Sequence, residues 1–177
     1  MEAKDKKKRK EKLLKCLCSI PREMIKLHGT ENMTEFLLHH LAQPECFDLA
    51  RAALFVDNPD FDHLKGVAGI DRHAAFNDAE HWKNPKDFSK HMTDKEFNQR
   101  VRTINQESVH KKQQNHDEAV GSLADQLSLK NPSFYSWPLK HDNHGLIIFE
   151  IHNEEEKSLI EEVMEEAVHF FGFCPIF

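Results

Sequence analysis

Histidine is unusually frequent in this chain and is the residue type best suited to do chemistry. Thirteen of the 177 residues are histidine. The imidazole ring is the commonest metal ligand in proteins and titrates close to neutral pH. Two segments place histidines beside carboxylates. We therefore expect any metal centre or acid–base chemistry of this chain to lie in one of these two segments.

The first segment is the stretch KHDNHG at residues 140–145. His141, Asp142 and His144 could present two imidazoles and a carboxylate to one divalent transition metal, and His152 follows the next apolar run. Structural zinc sites bring two further ligands at diagnostic spacing, and the sequence has no Cys-x2-Cys pair to supply them. The alternative interpretation is a polar turn whose histidines are solvated.

The second segment covers residues 60–81, which are also dense in acids and imidazoles. Asp71, His73 and His81 are its candidate metal ligands. A divalent ion held by them could polarise an oxygen and acidify a water for hydrolysis. The alternative is a polar surface loop. The other Asp and His side chains of this stretch are Asp60, Asp62, His63 and Asp78.

Residues 52–57, with the sequence AALFVD, stand at the end of a predicted helix. This short segment resembles the helix end that carries the His-Asp metal ligands of HD-type metal phosphohydrolases. The resemblance implies a helix that ends at Asp57 and a phosphohydrolase-like metal site. Val56 occupies the position of the family's histidine and has no atom that binds a metal. The site that the resemblance implies is therefore degenerate.

Charge is distributed unevenly along the chain. Residues 2–12 carry seven Lys or Arg against three acids, and residues 154–166 carry seven Glu against one Lys. Residues 4–12 could contact nucleic acid or an anionic lipid by charge. The alternative is a solubilising tail that folds back on the acidic C-terminal helix. The candidate contact residues are Lys6, Lys7, Lys8, Arg9 and Lys10.

The cysteines and the hydropathy predict an intracellular chain. Cys16, Cys18, Cys46 and Cys174 are scattered, and no signal-peptide pattern precedes them. We therefore expect free thiols in a reducing compartment, the cytoplasm, or the nucleus if the source is eukaryotic. No apolar run approaches the roughly 18 residues that a transmembrane helix needs.

The hydrophobic pattern predicts an α+β fold that is predominantly helical. A single domain over residues 13–177 should follow a disordered basic tail at 1–12. Four to five helices should pack with a small two- or three-stranded sheet near the C-terminus. Its strands are expected at 134–139 and 146–151 as a hairpin, with residues 173–177 as a third, parallel strand. Helices are expected at 12–27, from a cap at Thr30 to Leu41, from Pro44 to a stop at 57–59, from Glu96 to Leu127 with a polar interruption at 110–118, and over 154–171.

Three functions agree with these patterns. The leading hypothesis is a non-enzymatic interaction or regulatory protein that binds a protein partner, because the common phosphate-loop, serine-hydrolase, zinc-protease and thiol-redox motifs are missing. The alternative is a metal-dependent, phosphohydrolase-like hydrolase that uses a His/Asp cluster. The third is weak electrostatic binding of nucleic acid through the Lys-rich N-terminus.

Overall fold

The computed structural model describes residues 3–27, 32–74, 83–110 and 116–174. Within these ranges a five-stranded antiparallel sheet runs in the order β3-β2-β1-β5-β4. Its strands are β1 (Leu49–Asn58), β2 (His63–Asp71), β3 (Asn105–Gln106), β4 (Ser133–Pro138) and β5 (His144–Ile151). The helices are α1 (Ala3–Lys26), α2 (Met33–Ala42), α3 (Pro85–Thr93), α4 (Glu96–Thr103), α5 (His116–Leu127) and α6 (Lys157–Ala167).

Helices cover both faces of this sheet and create two hydrophobic cores. On one face α1, α2 and α6 pack against Leu54, Ile147 and Phe149. On the other face α4 and α5 pack against Phe55 and Ile148. The central strands β1 and β5 are therefore buried on both sides, which fixes the positions of the polar groups at their ends.

The prediction of a small two- or three-stranded sheet near the C-terminus is wrong. The sheet has five strands and lies in the middle of the chain, because residues 49–71 form the hairpin of β1 and β2. The mixture of helices and strands is confirmed, and so is the hairpin of β4 and β5. Phe173 lies in a 3-10 turn that follows α6 and Cys174 caps that turn, while residues 175–177 of the expected strand lie outside the described residues.

The strand β1 was predicted as a helix because both of its faces are apolar. Ala52, Ala53, Leu54 and Phe55 are all fully buried. A strand between two helical layers loses the alternation of apolar and polar residues that identifies a half-buried strand. The resemblance to the HD-type metal phosphohydrolases predicted a helix that ends at Asp57. This prediction is wrong for the same reason, since Asp57 lies near the end of a strand.

Residues 3–12 form the first turns of α1, where the sequence predicted a disordered tail. Arg9 Nε lies 2.6 Å from Glu156 Oε2, and Lys10 Nζ lies 2.5 Å from Glu162 Oε1. The start of α1 therefore contacts the acidic C-terminal helix, the arrangement considered as the alternative to a free tail.

Two of the four cysteines are not free. Cys16 on α1 and Cys46 in the loop after α2 form a disulfide, which contradicts the prediction of four free thiols. Cys18 is an exposed free cysteine and Cys174 is a buried one. Among the described helices, we find none with the length and apolar character needed to cross a bilayer.

Candidate functional site

A cavity of about 490 Å³ opens where the β1–β2 hairpin meets the beginning of α2. We call it the polar pocket because most of its lining is charged or carries an amide. The hairpin contributes paired residues on one face, Val56 opposite Lys65 and Asn58 opposite His63. The lining residues are Asn32, Thr34, Glu35, Val56, Asn58, His63, Lys65, Gly66, Val67, Arg102 and Asn143.

An ion pair inside the polar pocket connects α2 to α4. Arg102 Nη1 lies 2.9 Å from Glu35 Oε1, and the Glu35 side chain is only 3% exposed while that of Arg102 is 48% exposed. Burial raises the pKa of Glu35, and this effect outweighs the hydrogen bond from its own backbone amide and the charge of Arg102, which lower it. The guanidinium keeps donors beyond the one used by Glu35, because Arg carries five N–H groups.

Gly66 allows the close approach of β2 and α4 that places Arg102 in the pocket. Its N–H donates to the Ile104 carbonyl at 3.0 Å. A Cβ at Gly66 would lie 1.8 Å from the Val101 carbonyl oxygen, so only glycine fits without moving α4.

A second polar cluster joins Asp57, His110 and His144 at the same end of the sheet. Asp57 is 1% exposed, and His110 contacts its Oδ2 through the backbone N–H at 3.1 Å and through Nδ1 at 2.6 Å. The carboxylate therefore holds the His110 proton on Nδ1. The His144 ring stacks on the His110 ring with centroids 3.6 Å apart. Stacked rings direct their nitrogens along parallel planes, so these two histidines do not chelate one ion.

The predicted metal ligands lie at opposite ends of the strands. In the register of the sheet, His144 of β5 lies opposite Asp57 of β1, and Asp71 of β2 lies opposite Arg51 of β1. Asp57 and Arg51 are six residues apart along β1, a separation of roughly 20 Å. His141 and Asp142 occupy the exposed turn between β4 and β5, both with positive φ. At the far end the rings of His73 and His152 are 6.4 Å apart, with Asp71 Oδ1 accepting the backbone N–H of His73. His81 and Asp78 lie outside the described residues.

Considering only the described residues, the structure contains no group of three or more His, Cys, Asp or Glu side chains arranged to hold a metal ion. His63 reaches the polar pocket, whereas Asp60 and Asp62 belong to the β1–β2 turn. Asp62 Oδ1 accepts the backbone N–H of Ser108 and so has a structural contact. The metal-ligand set therefore stays a prediction that the described part of the chain does not support.

The basic residues predicted to bind polyanions divide into two groups on α1. Lys6, Lys7 and Lys8 are exposed. Arg9 and Lys10 contact glutamates of the C-terminal region, and Arg9 also donates to the Cys46 carbonyl at 2.7 Å. The pKa of Glu162 is lowered by its hydrogen bond with Lys10. Part of the basic charge is thus engaged within the protein.

A shallow groove of about 820 Å³ lies between α1 and α6. We call it the α1–α6 groove. Its apolar side chains come from both helices, and glutamates of α6 form one edge. The residues that line it are Lys10, Leu14, Leu17, Cys18, Pro21, Glu162, Val163, Glu165, Glu166 and Phe170.

Comparison with known proteins provides no relative. No protein-family description matches the chain, and no curated protein or solved structure is significantly similar to it. A function can therefore be inferred only from the geometry of these sites.

Sequence reasoning missed Glu35, Arg102 and His110 as site residues. Glu35 lies in an amphipathic helix pattern, where a glutamate is expected on the solvent side, yet it is almost fully buried. His110 was assigned to a solvated polar stretch, and its partner Asp57 is 53 residues away. One sequence signal could have indicated that Asp57 has a partner. Asp57 follows an apolar run, and an acid at the end of a buried strand needs a hydrogen-bond or charge partner.

Proposed function

We propose that this chain is a non-enzymatic interaction protein that binds a segment of a protein partner along the α1–α6 groove. The observation that carries the proposal is the combination of an apolar floor and a glutamate edge in that groove. The occupant that matches it is a partner helix or extended segment with apolar side chains flanked by Lys or Arg.

The floor of the groove offers apolar surface that the fold leaves accessible. Leu14, which lines the groove, is 42% exposed although it is a large hydrophobic residue. Ile25 lies further along α1, beyond the residues that line the groove, and is 76% exposed. Leu14, Cys18, Pro21 and Ile25 recur at positions i, i+4, i+7 and i+11 of α1, so they follow one line along the helix. Such a line is the typical contact surface for an apolar stripe of a partner.

The edge of the groove selects the charge of that partner. Glu162, Glu165 and Glu166 are exposed on α6, and among the described residues that line the groove Lys10 is the one basic side chain. Lys10 already contacts Glu162. The edge is therefore acidic, which favours Lys or Arg beside the apolar residues of the partner and speeds its association.

The test uses two labelled 16-residue amphipathic peptides, one with leucine and lysine and one with leucine and glutamate, and measures their fluorescence anisotropy on the intact protein. We expect the Leu/Lys peptide to bind and the Leu/Glu peptide not to bind. Leu14→Asp should weaken binding by at least about tenfold, because it places a charge on the apolar floor.

The matched control is Phe61→Asp. Phe61 is 81% exposed in the β1–β2 turn, outside the groove, so this change alters charge and exposed apolar area without touching the floor. Equal loss of binding in both variants would refute the proposal, because it would mean that the peptide responds to total charge and not to the groove.

A further inference from the structure

The polar pocket and the α1–α6 groove share no residue, so a ligand in the pocket would be a second, independent function. The volume of about 490 Å³ falls in the range of small-molecule sites. The charges and the amide groups of the pocket indicate the chemical class of its ligand.

Positive groups outnumber negative ones in the polar pocket. Among the described residues that line it, Lys65 and Arg102 are cationic and His63 adds an imidazole, against the one carboxylate of Glu35. Lys65 is exposed, and in the part of the chain that the structure describes it has no ion pair. This excess is notable because the whole chain has a net charge of −6. The pocket therefore favours a ligand with a negatively charged group.

The pocket also contains a buried acceptor atom that a hydrogen-bond donor of a ligand could satisfy. The side-chain oxygen of Asn143 is buried and, among the residues that the structure describes, has no hydrogen-bond partner. A buried acceptor without a donor costs free energy, which a ligand N–H or O–H would recover. Asn32 and Thr34, at the beginning of α2, line the pocket, so the positive end of the helix dipole also lies there.

We propose that the polar pocket binds a small organic carboxylate that also carries a hydroxyl or amino group. The ligand carboxylate would lie between Lys65 and Arg102, and its hydroxyl or amino group would donate to the Asn143 oxygen. Glu35 holds the Arg102 guanidinium in place while leaving other N–H groups for the ligand.

The experiment titrates the intact protein with L-malate, succinate and inorganic phosphate by calorimetry at matched ionic strength, with sodium chloride as the reference. Malate and succinate differ only in one hydroxyl, so their comparison isolates the donor to Asn143. We expect malate to bind saturably and about tenfold more tightly than succinate or phosphate.

Two variants of equal charge change locate the binding. Lys65→Glu should weaken malate binding by at least about tenfold, because it replaces an attracting charge by a repelling one. Lys86→Glu, on the exposed side of α3, should bind malate like the wild type. The proposal is overturned if no carboxylate binds above the chloride reference, if phosphate binds most tightly, or if the two variants behave alike.

Discussion

Removing the disulfide between Cys16 and Cys46 should cost a large part of the stability of the fold. The two cysteines are separated by 30 residues and connect α1 to the loop after α2. Closing a loop of that length restricts the unfolded chain, which corresponds to about 3 to 4 kcal/mol of stability. We therefore predict that Cys46→Ala lowers the free energy of unfolding by about 3 kcal/mol under oxidising conditions.

The measurement is urea unfolding of wild type and variant, with and without dithiothreitol. Reductant should destabilise the wild type and leave Cys46→Ala nearly unchanged, so that the two converge. Cys18→Ala is the matched control, because Cys18 is an exposed free cysteine on the same helix and its loss should change nothing. If reductant has the same effect on wild type and Cys46→Ala, or none on either, the disulfide does not stabilise the fold by loop closure.

Three further predictions follow from burial and close packing. Gly66→Ala should destabilise the protein by about 2 to 3 kcal/mol in urea unfolding, since its Cβ would collide with the carbonyl of Val101. The raised pKa of Glu35 means that stability falls as the pH rises from the ordinary carboxyl pKa to the raised one, and Glu35→Gln should lack this slope in unfolding measured across pH. Burial raises the pKa of Cys174 to about 12, so iodoacetamide at pH 8 should label Cys18 in the native protein and Cys174 only after unfolding, as mass spectrometry would report.

The elements that the sequence identified correctly are those with local signals. The hairpin of β4 and β5 has two apolar runs around a polar turn, and α6 has a clear amphipathic stripe. The strand β1 lacked such a signal, because burial on both faces makes a strand and a buried helix look alike in sequence. Its misassignment removed the centre of the sheet from the predicted fold.

The candidate sites were harder to predict because each one joins distant segments. Glu35 and Arg102 are 67 residues apart, and Asp57 and His110 are 53 apart. Histidine spacing alone suggested two separate metal sites, at 141–144 and at 71–81. The strand pairing places the described members of the first at one end of the sheet and those of the second at the other, so the two segments do not combine into one site. Contacts of this kind depend on the register of β1, which local patterns do not determine.

The most direct test of the proposed function attaches a photoreactive benzophenone to Cys18, the free cysteine that lines the α1–α6 groove. Cross-linking in lysate of the source cells, followed by sequencing of the cross-linked peptides, identifies what lies in the groove. We predict one recurring segment of another protein, apolar and rich in Lys or Arg, whose cross-link is lost in Leu14→Asp and kept in Phe61→Asp. Cross-links to unrelated or acidic segments, to this same chain, or insensitive to Leu14→Asp would contradict it.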